Sequence, residues 1–85
     1  MPEAIFHPEF RNDLQDWAKW DPVIARRVLS LVGEILSNPA SGSGRPVPLK
    51  GVLEGCLSRR LTLHHRLVYL VRGDRVHFLE ARYHY

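Results

Sequence analysis

The chain has 85 residues, 45% of them apolar, and a formal net charge of +3. That length fits one domain, residues 1–85. So small a core buries only about 60 to 65% of the unfolded surface, so a dimer or bound protein is expected to add stability. The apolar content argues against disorder. No run is long enough to span a bilayer, and Met1-Pro2-Glu3 lacks the basic and apolar regions of a signal peptide, so the sequence reads as cytoplasmic. Cys56 is the single cysteine and can form neither an internal disulfide nor a paired-cysteine zinc site.

Charge divides the chain in two. Residues 1–43 carry four basic and six acidic side chains, a balance of −2; residues 44–85 carry eight basic and three acidic ones, a balance of +5. The cationic half suits a polyanion such as nucleic acid, against the alternative that scattered arginines only solubilise a small protein.

The chain opens with a short apolar strand, residues 3–6, ended by His7-Pro8. Proline at a first helical turn predicts a helix over residues 8–20, where Phe10, Leu14 and Trp17 make one apolar stripe. Trp17 and Trp20 are assigned to the core. Asp21-Pro22 joins a capping carboxylate to a second such proline and predicts a helix over residues 22–37, with Ile24, Val28, Leu31 and Ile35 on its buried face. Residues 40–48, ASGSGRPVP, form a loop suited to binding residues.

Strands follow at about 49–53, 56–63, 65–72 and 75–84, the last two a hairpin about Arg72-Gly73-Asp74-Arg75. Alternation in the third strand places Leu57, Leu61 and Leu63 on one face and Ser58, Arg60 and Thr62 on the other. The order gives an α+β domain with two antiparallel helices on one face of a mainly antiparallel sheet.

No glycine-rich phosphate loop, HExxH or paired-cysteine spacing is present, and the five histidines lack ligand-like spacing, so no metal or cofactor is expected. What remains is Lys50, Arg60, Arg66, His84 and Tyr85, at strand positions that a sheet could gather. RNA cleavage without a metal needs a base for the 2′-hydroxyl, cations around the pentacoordinate phosphate and an acid for the departing 5′-oxygen. Arginine suits the cationic role, histidine the acid, and tyrosine can stack on an unpaired base. Taken singly, a strand arginine usually covers the sheet and a terminal tyrosine usually packs.

The stretch GSGRPVPLKGVLEGCLSRRLTLHHRLVYLV, with the terminal Arg82-Tyr83-His84-Tyr85, resembles the YoeB branch of the RelE toxin superfamily. The resemblance covers almost the whole chain. It implies a microbial-ribonuclease-like fold, ribosome-dependent cleavage of mRNA in the decoding site, a YefM-like antitoxin, and a homodimer formed through the helical half. It implies phosphate binding by Lys50 and Arg60, transition-state stabilisation by Arg66, general acid catalysis by His84 and substrate orientation by Tyr85, and Arg59 and Arg82 are grouped with Lys50 and Arg60 as substrate-binding residues. Related toxins carry a glutamate, regarded as the general base, where this chain has Val47. Lys50 is the first candidate to replace it and His65 the second, with Glu54 and Glu80 read as surface or salt-bridge carboxylates. The alternative is a weakened or inactive homologue that only binds ribosome, RNA and antitoxin. A DNA-binding reading is poorer, because no helix is basic along one face.

Overall fold

In the computed structural model, which describes residues 2–84, two helices cover one face of a five-stranded sheet. Strand β1 (Glu3–Phe6) leads through His7 into α1 (Pro8–Trp20), and Asp21 alone separates α1 from α2 (Pro22–Ser37). Each helix starts on its proline, and Asp21 Oδ1 accepts the Val23 N–H at 3.2 Å. Strands β2 (Val47–Pro48), β3 (Leu57–Arg60), β4 (His65–Arg72) and β5 (Arg75–His84) complete the sheet in the order β1-β5-β4-β3-β2. Three pairings are antiparallel; β1 runs parallel to β5, from which most of the chain separates it.

Two elements differ from the sequence expectation. Residues 49–53 were expected as a strand, but pairing ends at Pro48, which has no N–H to donate, and the chain turns through a 3-10 segment, Gly51–Leu53, with Gly51 at φ +73°. Strand β3 stops at Arg60 rather than 63, because Thr62 Oγ1 captures the N–H groups of His64 and His65 in a tight turn. Leu63 therefore sits at the turn tip, 83% exposed, instead of on the core face.

The main core lies between helices and sheet, where Phe10, Trp17, Val28, Leu31 and Ile35 meet Leu67, Tyr69, Val76, Phe78 and Ala81. Fully burying such a side chain contributes about 1.5 to 3 kcal/mol. A smaller cluster of Leu49, Cys56 and Val68, with Leu53, Leu70, Leu79 and Tyr83 packed against it, occupies the helix-free face. Burial there, helped by Glu80, pushes the Cys56 thiol above its ordinary value, which leaves it a poor nucleophile. Trp17 is core as expected, but Trp20 is exposed and lies under the Arg82 guanidinium, 4.9 Å from its ring centroid.

The free end of β5 is what positions the site. Strand β1 pairs only with residues 75–78, so the backbone beyond needs other partners. Helix α1 supplies them: Asp13 Oδ2 accepts the Ala81 N–H at 2.9 Å, and Trp17 Nε1 donates to the Ala81 carbonyl at 2.8 Å. The register with β4 shifts twice on the way, between Arg66 and Val68 and again before Tyr69, and ends with Arg66 opposite Tyr83 and His65 opposite His84.

Candidate active site

Cross-strand partners share a face, so the register places Arg60, Arg66 and Tyr83 together on the helix-free side, next to the row of Val47, Ser58 and Val68. Arg66 is 4% exposed and held in one orientation. Its Nε donates to Ser58 Oγ at 2.6 Å, and its Nη2 donates to the Arg45 carbonyl at 3.1 Å and the Ser58 carbonyl at 3.2 Å. Arg60, its partner across the strand, is exposed, as is Lys50. Gly44, Arg45 and Arg60 line one cleft of about 330 Å³; Val47, Pro48, Leu49, Lys50 and Tyr83 line a second of about 390 Å³. The result is a fixed, buried positive charge with solvated Arg60 across the strand from it and solvated Lys50 in the neighbouring Tyr83 cleft, chemistry suited to a phosphodiester.

The loop over residues 38–46 builds one wall of this site by close backbone approach. The Arg60 N–H donates to the Gly44 carbonyl at 2.9 Å, and a Cβ on Gly44 would stand 2.9 Å from the Arg60 backbone. Only glycine fits there, with φ at +80°. From the helix layer, Arg27 Nη2 donates to the Arg60 carbonyl at 2.9 Å and holds the strand end from the other side.

Arg59 and Arg82, grouped with the phosphate binders on sequence, are placed elsewhere. Arg59 is wholly buried, because strand alternation turns it towards the helices with Leu57 and Leu61. It donates through Nη2 to the carbonyls of Asn38 at 2.7 Å and Ser41 at 2.9 Å, and its guanidinium lies over the Tyr69 ring. Tyr69 donates its hydroxyl to the Pro39 carbonyl at 2.6 Å, so both side chains secure the same loop. Glu34 stands 3.8 Å from Arg59 Nη1; the Ser43 backbone N–H and hydroxyl, then Arg59, hold its carboxyl below the ordinary range. Arg82 pairs with Asp16 at 3.4 Å and Asp13 at 3.7 Å, which fastens β5 to α1.

His84 is exposed at the end of β5 and, by register, follows His65 rather than Arg66 in its facing. It lies among histidines: its ring stacks on His64 at 6.3 Å and meets His65 edge-on at 6.0 Å. Tyr85 lies outside the described residues. Glu80 forms no ion pair among the described residues; it is half-buried, and burial, with Asp13 and Glu9 nearby, raises its carboxyl above the ordinary range. Sequence reasoning missed Ser58, Asp13 and Tyr69, the polar groups that position Arg66, β5 and the loop. Among the described residues, no group of three or more His, Cys, Asp or Glu side chains could hold a metal ion, and no helix is long and apolar enough to cross a membrane.

Residues 6–85 match the profile of a family described as YoeB-like toxin of bacterial type II toxin-antitoxin systems. The chain belongs to this family of toxins. Toxin YoeB of Mycobacterium bovis is 48% identical over 85 residues, the whole of both chains. The YoeB dimer from Staphylococcus aureus superposes with a TM-score of 0.88 at 32% identity, covering 99% of this chain and 98% of that one. In a heterotetrameric YoeB-YefM toxin-antitoxin complex from the same organism, the matched chain gives a TM-score of 0.84 at 31% identity over 100% and 99% of the two chains. The architecture of this YoeB-family chain is thus the microbial-ribonuclease-like one. The loop, β3, β4 and the end of β5 that build the Arg66 site all lie within the matched span.

Proposed function

We propose that this toxin is a metal-independent endoribonuclease that cuts mRNA in the decoding site of the ribosome, stops translation, and is neutralised by a YefM-like antitoxin. The observation that carries the reading is Arg66 bonded to Ser58 and to the Arg45 carbonyl, on the face that also presents Arg60, next to the cleft lined by Lys50 and Tyr83. In the reaction the 2′-oxygen loses its proton and attacks phosphorus, while the bond to the 5′-oxygen breaks and that oxygen takes up a proton. Arg66, oriented before substrate arrives, stabilises the charge that gathers on the non-bridging oxygens. Arg60 and Lys50 hold the flanking backbone, and Tyr83, beside Lys50 in the second cleft, offers a ring to a base. His84 supplies the proton to the leaving oxygen.

The base is where this chain departs from its relatives. Val47 and Lys50 line the second cleft together, which supports Lys50 as the substitute for the missing carboxylate. His65 suits that role less well, since its Nδ1 is engaged by Thr62. The same valine favours the second reading, a toxin that occupies the decoding site and binds antitoxin with little cutting. Substituting Val47→Glu is expected to raise the cleavage rate on programmed ribosomes about a hundredfold or more, the usual contribution of a positioned general base. No increase from a folded variant would mean that the cleft is not where the 2′-hydroxyl is deprotonated.

The YoeB dimer and the YoeB-YefM complex of Staphylococcus aureus support two partners for this chain, a second copy and a YefM-like antitoxin. A cationic open face on a small domain is readily covered by a disordered acidic chain that folds as it binds.

A further inference from the structure

Three histidines meet where β3 turns into β4 and β5 ends. His84 lies 6.3 Å from His64 and 6.0 Å from His65 by ring centroids, and the His65 ring also stands edge-on to Trp17 at 5.1 Å. Like charges at such distances oppose one another, so a charge on one ring disfavours a charge on its neighbours. The local geometry decides which ring yields.

Thr62 is the deciding group. Its Oγ1 accepts the backbone N–H of His64 at 3.1 Å and of His65 at 3.0 Å, and lies 3.0 Å from His65 Nδ1. A hydroxyl has two acceptor lone pairs and one proton to give. Both lone pairs are taken, so the hydroxyl donates to Nδ1 and the His65 proton sits on Nε2. Charging His65 would set an N–H against an oxygen with no lone pair left, and Trp17 stands beside the ring to oppose its turning away. Burial, followed by His84, His64 and Arg82, also depresses the tendency of His65 to take a proton. From α1, the acids near this end, Asp13 and Asp16, are already paired with Arg82.

We infer that Thr62 and His65 are positioning residues for His84: the Thr62 hydroxyl locks His65 as a neutral imidazole, so His65 sets no positive charge against His84. The catalytic meaning of the lock rests on His84 as the general acid proposed above; the lock itself is a property of the free protein.

The test is histidine-resolved NMR titration of free toxin, with cleavage rates against pH measured in parallel. Unsubstituted protein should show His65 as the uncharged Nε2–H tautomer at neutral pH. Thr62→Val frees Nδ1, lets His65 charge, and should move the His84 transition to lower pH by about half a unit. Adding His65→Gln to Thr62→Val should return it. The alkaline fall in cleavage, which reports loss of the acid's proton, should move and return with it.

A His65 proton on Nδ1 in the unsubstituted protein would overturn the lock, even if Thr62→Val failed to fold. So would a His84 transition that stayed in place in folded Thr62→Val. The NMR shifts without cleavage by any variant would support the lock and refute the nuclease reading.

Discussion

Replacing Arg66 by methionine is expected to lower mRNA cleavage on the ribosome by about a hundredfold to a thousandfold, the range seen when one preorganised transition-state donor is removed. The expectation follows from its restraint. Three hydrogen bonds to Ser58 and Arg45 fix the guanidinium before substrate arrives, so no reorganisation is needed as charge develops. The same bonds give the substitution a structural cost. Methionine leaves the Ser58 hydroxyl and two carbonyls without their donor, which costs about 1 to 3 kcal/mol. Arg66→Lys keeps the charge but not the fork, and should recover little of the rate. Primer extension, with thermal unfolding of each variant, separates the two effects; a folded Arg66→Met protein that cuts at the original rate would remove Arg66 from the chemistry.

Arg59→Met should act on stability instead. The wild-type side chain is wholly buried, donates to the Asn38 and Ser41 carbonyls, and stacks on Tyr69. Methionine has similar length and no donors, so both carbonyls lose a charged partner. A loss of about 2 to 4 kcal/mol is expected, which for a domain of this size lowers Tm by about 10 to 20 °C. The damage should centre on the loop over residues 38–46, whose Gly42 leaves the space Arg59 occupies: a Cβ there would stand 2.7 Å from its Nη1. Calorimetry and amide exchange at Ser43 give the measure. An unchanged Tm would show that the buried arginine is not what holds the loop.

These two arginines mark the limit of what the sequence reveals. The helices were legible because their prolines, Asp21 and their apolar stripes all agree, and the β4–β5 hairpin because two strand-like runs flank a glycine turn. The facing of Arg59 was also legible, since it shares parity with Leu57 and Leu61, but a run of two arginines invites the assumption that both are solvated. The placement of Arg82 was not legible, because its partners Asp13 and Asp16 are some seventy residues away along the chain. Nor was the pairing of His65 with His84, which depends on two register shifts with no signature in composition. Thr62 read as a strand residue, and only the turn that it closes gives it a role.

Primer extension on mRNA held in a programmed ribosome, after adding antitoxin-free protein, tests the central claim most directly. The natural chain should leave cuts in the decoding site, and His84→Ala should reduce them by about a hundredfold to ten-thousandfold. Folded protein that binds the ribosome and leaves mRNA intact, with Val47→Glu equally inert, would contradict the nuclease and leave a toxin that acts by binding alone.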